Sequence, residues 1–227
     1  MPKYQRLSKK FYSQNTFKLA QLLLGKYLIR KIGKNILIGK IAETEAYYGP
    51  NDKASHASRG KTERTKLMFG RSGTAYIYQI YGLYYCFNIV TEAKDFPAAI
   101  LIRAVEPIEG IKQMQINRGC HPELSRRMTR RRHGSTMPVL SQAEGLTMTK
   151  NLTNGPAKLC QAFKIDKKLN GLNLISSNQL YLAANPQENI KKSQIQSAKR
   201  IGVDYAGSYR HKPWRYYLKN NHFVSKK

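Results

Sequence analysis

The chain has 227 residues, 41% of them hydrophobic, enough for one sizeable core, so a single domain spanning 1–227 is expected. With 40 Lys and Arg against 13 Asp and Glu, the net charge is +27, a field that favours phosphate-rich partners and salt-sensitive association. The three cysteines (Cys86, Cys120 and Cys160) form no C-x-x-C pair, which argues against a thiolate zinc site, a disulfide framework and a four-cysteine iron–sulfur cluster, and no apolar run approaches the ~20 residues of a membrane helix.

Residues 1–13 are basic and expected to be loose. Asn15 or Thr16 can cap a helix through about Leu24, with Phe17, Ala20, Leu23 and Leu24 near helical spacing and Gly25 ending it. No acid precedes Glu43, a trait shared with transit peptides, but Phe17–Ile32 already reads as folded structure. Strands are expected over Tyr27–Lys31 and Ile36–Tyr48. The second holds Glu43 and Glu45 in a run that otherwise reads as buried, and simple alternation puts Ile41, Glu43, Glu45 and Tyr47 on one face. A buried carboxylate is either paired with a cation or functional, and the residues alone leave both readings open. His56 follows in a polar segment, where a surface or capping role is the plainer reading.

Thr74–Val90 reads as two strand halves around Tyr81-Gly82, as in a hairpin. Tyr76, Tyr78 and Ile80 share a face of the first half, and Tyr84, Cys86 and Asn88 share one of the second. A tyrosine at a hairpin tip has the geometry of a wedge into a base stack, although an aromatic core hairpin is common. Asn88, an amide in an apolar strand, needs backbone or ligand partners. Arg103, inside Leu101–Val105, is expected to pair with Glu43 or Glu45. Glu106-Pro107 should break that strand, and a helix should follow over Ile108–Ile116.

Residues 117–153 read as a long basic loop or insertion containing Arg126, Arg127, Arg130, Arg131 and Arg132, a candidate phosphate-binding segment. Asn154-Gly155-Pro156 opens a helix to about Phe163, whose first-turn amides and Lys158 form a second candidate phosphate site. Strands near Leu172–Ile175 and Gln179–Ala183, a helix over Glu188–Arg200 and a strand over Arg215–Lys219 complete the chain. Lys199 to Tyr217 mixes cations with aromatics and suits either core packing or DNA backing.

Several of these motifs occur together and in order: Glu43-Thr-Glu-Ala-Tyr47, Gly49-Pro50, Asp52, His56, Met68-Phe69, Tyr76-Ile-Tyr78, Tyr81-Gly82, Tyr84, Asn88-Ile89, Leu101-Ile-Arg103-Ala104, Glu106-Pro107 and Gly155-Pro156-Ala-Lys158-Leu. In this the chain resembles the alkyladenine (3-methyladenine) DNA glycosylase family, collinearly from about Leu19 to Trp214. Residues 111–153 look longer and more basic than that pattern needs. The resemblance implies an α+β fold, a single mixed domain around a curved, largely antiparallel sheet with a protruding tyrosine-bearing hairpin. It implies hydrolysis of the N-glycosidic bond of a damaged purine, without metal or cofactor. By position, Glu45 would be the base that activates water, supported by Arg103. Tyr47, His56 and Tyr78 would surround the extruded base, Asn88 would limit which purines fit, and Tyr81 would fill the gap in the duplex. The implied partner is double-stranded DNA containing damaged purines, met by a monomer inside the cell. The alternatives are a non-enzymatic RNA- or ribosome-associated protein, or a tRNA- or formyl-transfer accessory protein on a related sheet. The first explains the charge and the tyrosines but not Glu43 and Glu45.

Overall fold

The structure, a computed structural model, describes residues 3–119 and 151–226. Among these, nine strands form one sheet in which every named strand pair is antiparallel. In chain order they are β1 (Gln5–Arg6), β2 (Tyr27–Ile32), β3 (Asn35–Tyr48), β4 (Ala75–Ile80), β5 (Tyr84–Val90), β6 (Ala98–Glu109), β7 (Leu180–Ala184), β8 (Ile195–Ala198) and β9 (Arg215–Leu218). The main path runs β1-β7-β2-β3-β6-β5-β4, and β9 pairs with β3 and β8 off this path. Few helices accompany it: α1 (Lys9–Tyr12), α2 (Thr16–Leu22), α3 (Ile111–Asn117) and α4 (Pro156–Ala162). The α+β expectation holds.

Strand β3 organises the molecule. Its 14 residues are long enough to pair β2 and then β9 along one edge while β6 occupies the other. The β3–β6 ladder is not regular. Its register passes over Ala42 on β3, and then over Arg103 on β6. Each skipped residue is a bulge, which re-aims the side chains that follow it. Before Ala42, Leu37 and Ile41 pack into the large aliphatic core; after it, Ala46 does, and Thr44 donates to the Ala20 carbonyl of α2. Simple alternation therefore fails for Ile41, which lies in the core and not beside Glu43, Glu45 and Tyr47. The bulge turns the two acids and the tyrosine to the opposite side.

Helices α2, α3 and α4 cover the core face. Asn15 caps α2 through its side chain, accepting from the Phe17 and Lys18 amides. Leu19, Ala20, Leu23 and Leu24 beneath it are buried against Leu37, Ile100, Ile102 and Phe163.

Four other expectations are corrected. Residues 3–13 are not loose: β1 adds an edge to β7, the Leu7 amide donates to Leu182, and Tyr12 is fully buried. Pro107 does not break β6, which continues to Glu109. Beyond Leu101, among the described residues, β3 is the one strand paired with β6, apart from an isolated bridge of Ala104 to Asn154, and a register shift falls at Gly39, opposite Pro107, so the missing proline donor is tolerated. The α3 helix accordingly begins at Ile111, after Gly110. Leu172–Ile175 is a turn with one bridge, Thr74 to Asn173, and no strand. Glu188–Arg200 is no helix: after a short 3-10 turn, residues 195–198 pair with the open edge of β9. That segment has no apolar stripe at helical spacing to hold a helix down.

Of the expected basic loop, residues 120–150, and with them the five arginines from Arg126 to Arg132, lie outside the described residues. Its far end is packed: Leu152 and Thr153 are buried, and Thr153 Oγ1 donates to the Val105 carbonyl at 2.6 Å.

Candidate active site

On the side of the sheet to which the bulges turn Glu45 and Arg103 lies a cavity of about 260 Å³. That is below the roughly 300–1,000 Å³ of pockets for drug-sized ligands and suits a single ring system. Tyr47, His56, Tyr78, Tyr81, Asn88 and Arg103 all line it, so six residues singled out from the sequence converge.

The hairpin β4–β5 supplies one wall. Alternation puts Tyr76, Tyr78 and Ile80 beside Cys86 and Asn88 on the cavity face. At the tip, Tyr81 and Gly82 have φ of 51° and 68°. Two successive left-handed residues are what a tight turn matched to strand twist requires, and they cost a tyrosine more than a glycine. Tyr81 is 87% exposed, and Leu83 beside it 73%.

His56 opens a 3-10 turn whose start is capped by Ser55. Its ring meets Tyr78 edge-on, 4.4 Å between centroids, and its Nδ1 lies 3.1 Å from the Tyr76 hydroxyl. Burial, then the charges of Arg64 and Arg59, push its pKa down to about 4, so it is neutral at pH 7. Burial also raises the Tyr47 and Tyr78 hydroxyls well above their ordinary range and pushes Tyr76 up to about 12. The aromatic walls are thus uncharged. Asn88 Nδ2 donates to the Tyr76 carbonyl at 3.1 Å and the Cys86 carbonyl at 3.4 Å, which spends the amide's donors on backbone.

Glu45 is fully buried one layer behind this lining and is not part of it. Its Oε2 accepts from the Tyr47 hydroxyl at 2.8 Å, and its Oε1 from the Ile201 amide at 2.8 Å. Arg103 Nη1 stands 3.3 Å from Oε2, while Arg103 Nε stands 3.4 Å from Glu43 Oε1. The arginine therefore meets both of its expected partners. Burial works against its charge, but Glu45 and Glu43 outweigh that and raise its pKa further.

Some site residues were not found from the sequence. Ile201 and Gly202 form part of the wall, and Tyr205, 71% exposed, stands at it too. Arg200 forms a fork with Asp52, Nη1 to Oδ2 at 2.6 Å and Nη2 to Oδ1 at 2.8 Å, with both side chains fully buried. The Arg200 guanidinium lies 4.8 Å from the Tyr47 ring centroid and 4.9 Å from that of Trp214. The cation–aromatic mixture of residues 199–217 was the available signal. Lys158, by contrast, is not in the lining; its Nζ donates to Asn154 Oδ1 at 2.9 Å, and its helix has only seven residues.

A neutral aromatic slot, backed by a carboxylate and an arginine, has the lining of a site for a flat ring, and it is carried on a chain whose charge suits a polyanion. The comparisons give the family. The methylpurine-DNA glycosylase (MPG) pattern matches residues 10–222, and the chain belongs to that family. It is a DNA glycosylase, a repair hydrolase whose partner is DNA. A Clostridium perfringens strain 13 protein named "Putative 3-methyladenine DNA glycosylase" is 46% identical over 224 residues, covering 98% of this chain and 100% of its own length. Proteins of the same name from Clostridium novyi and Methanocella arvoryzae are each 43% identical, over 98% and 97% of this chain and 100% and 96% of theirs. The two non-enzymatic alternatives fall with the family membership. Among the described residues, no helix is long and apolar enough to cross a membrane.

Proposed function

We propose that this enzyme, acting as a monomer, releases alkylated purines such as 3-methyladenine from double-stranded DNA by flipping the nucleotide into the cavity and hydrolysing its N-glycosidic bond. Hypoxanthine and ethenoadenine are further candidate substrates. The observation that carries the reading is the position of Glu45 directly behind an aromatic slot sized for one ring system.

A base inside a duplex is out of reach, and extruding it costs a few kcal/mol, least where pairing is already damaged. Tyr81, exposed at the hairpin tip, fills the vacated stack. Tyr47, Tyr78 and His56 offer π faces to the extruded base, and a cationic alkylated purine is favoured by electron-rich rings. Asn88, its amide donors held by backbone, limits the purines that fit. As the bond breaks, positive charge develops on the sugar, by analogy with glycoside hydrolysis. Glu45 opposes that charge and orients water. A carboxylate has about four acceptor positions; the Tyr47 hydroxyl, the Ile201 amide and, at 3.3 Å, Arg103 Nη1 engage three, which leaves one for the water. Arg103, shared between the acids and lining the cavity, steadies the water and the sugar-phosphate. Lys158 and the five arginines from Arg126 to Arg132 are proposed phosphate contacts.

The test is release of free purine from alkylated DNA, with Glu45→Gln beside the native enzyme. Glu45→Gln should retain lesion binding and lose release, by roughly 100-fold or more for a lost general base. Release at the native rate would remove Glu45 from the mechanism. Activity should survive EDTA, and borohydride should trap no covalent protein–DNA adduct.

A further inference from the structure

Glu43 does not line the cavity, and it is fully buried. Arg215 Nη1 donates to its Oε1 at 2.8 Å, and the Ser225 amide donates to its Oε2 at 2.8 Å. Arg215 is itself braced by the carbonyls of Lys199, at 2.8 Å from Nε, and Lys226, at 2.7 Å from Nη1. The remaining contact of Glu43 is Arg103 Nε at 3.4 Å. Two carboxylates and two guanidiniums thus balance in charge within one buried cluster, and only Arg103 of the four faces the cavity.

The distances in this cluster are unequal. Arg215 makes a short bond to Glu43, whereas Arg103 stands 3.3 and 3.4 Å from the two acids, and its Nε makes no hydrogen bond among the described residues. Charge-assisted N–H···O bonds run about 2.7–2.9 Å, and an isolated arginine–carboxylate pair tends to close into a two-pronged fork. Arg103 does not close on Glu45, because Glu43 draws it from the other side and because it is the bulged residue of β6.

We infer that Glu43, braced by Arg215 and the Ser225 amide, is a positioning residue that holds the Arg103 guanidinium between the two acids, leaving Glu45 free to take water. This rests on the reading of Glu45 as the base. Without the Glu43 charge, Arg103 collapses onto Glu45, occupies its acceptor positions and leaves the cavity wall. The last strand and the segment after it thereby become part of the reaction's machinery, although neither holds a group that touches substrate.

The decisive experiment is a double-mutant cycle on single-turnover release of 3-methyladenine from duplex DNA, using native enzyme, Glu43→Gln, Arg103→Ala and the double variant. If Glu43 acts through Arg103, Glu43→Gln slows release about tenfold or more in the native background, with affinity for the lesion duplex within about twofold. In the Arg103→Ala background the same change then costs less than about threefold. An equal factor in both backgrounds, or no slowing in the first, overturns the inference. Should Glu43→Gln fail to fold, Glu43→Asp keeps the charge and shortens its reach, and its smaller loss must likewise vanish with Arg103 removed. Native enzyme that releases no purine would instead overturn the glycosidase reading itself.

Discussion

Asp52 and Arg200, 148 residues apart in the chain, form a two-pronged ion pair with neither side chain open to solvent. The pair ties the loop that leads from Tyr47 to His56 to the segment whose next residue, Ile201, donates its amide to Glu45. Arg200 also lies against the back of the Tyr47 ring. One buried pair therefore holds three parts of the site in place: a stacking ring, a carboxylate partner and the approach to the histidine.

Breaking that pair leaves an uncompensated buried cation. Asp52→Ala should destabilise the protein by about 3–5 kcal/mol, because removing one partner of a buried ion pair costs far more than the pair contributes. The loss is read from urea denaturation midpoints. A loss below about 1 kcal/mol would mean that Arg200 finds another partner on relaxation.

Tyr81 should separate binding from stability. At 87% exposure it contributes little to the core, so Tyr81→Ala should leave the melting temperature nearly unchanged. Discrimination of lesion duplex over plain duplex should fall by roughly 1–3 kcal/mol, the worth of one base–aromatic stacking contact. Phe at this position should restore much of it. A large drop in melting temperature with an unchanged affinity ratio would make Tyr81 structural.

His56 makes stability depend on pH in a defined window. Its folded pKa of about 4 lies below the ordinary 6.5, so between those values the unfolded chain binds a proton that the folded chain refuses. Stability from this group is full above about pH 6.5, falls as pH drops through the window and is gone below about pH 4. The stability difference between native protein and His56→Gln should shrink across that range. A difference independent of pH would place the titration elsewhere.

Gly39 is small for reasons of space, not backbone strain. A β-carbon there would sit 2.6 Å from Val105 Cγ2 and 2.9 Å from Phe163 Cζ. Gly39→Ala should cost about 1–3 kcal/mol through overpacking, with purine release per folded molecule unchanged. Native stability in the variant would require α4 to move away from the sheet, visible as faster hydrogen exchange in residues 156–162.

Much of this was legible in the sequence because it depends on local pattern. The hairpin and a helix cap at Asn15 or Thr16 follow from alternation and turn and capping chemistry, whereas the gathering of Tyr47, Tyr78, Asn88 and Arg103 in one site was implied by the family resemblance. What was not legible depends on distant pairing. No local signal makes residues 195–198 a strand; β9 does, by offering an open edge. Pro107 stays in a strand because, among the described residues, no strand but β3 pairs with that end of β6. The Asp52–Arg200 pair joins residues that look like ordinary surface charges in a chain of net charge +27. The misplacement of Ile41 had the same root: alternation describes a regular ladder, and this one carries bulges at Ala42 and Arg103 besides the shift at Gly39.

The bulges at Ala42 and Arg103 act as a phase change in the sheet. Up to Ile41, odd-numbered side chains of β3 face hydrocarbon; from Glu43 onward, even-numbered ones do. A change of length at Ala42 would therefore be of a different kind from a substitution there. Removing that residue would exchange the contents of the two faces for the rest of the strand, carrying both carboxylates into the aliphatic layer beneath α2 and leaving the cavity backed by Thr44 and Ala46. Substitutions along β3 are accordingly governed by opposite demands on either side of position 42, and a graft of this strand into another sheet transfers the chemistry only if the extra residue in each partner travels with it.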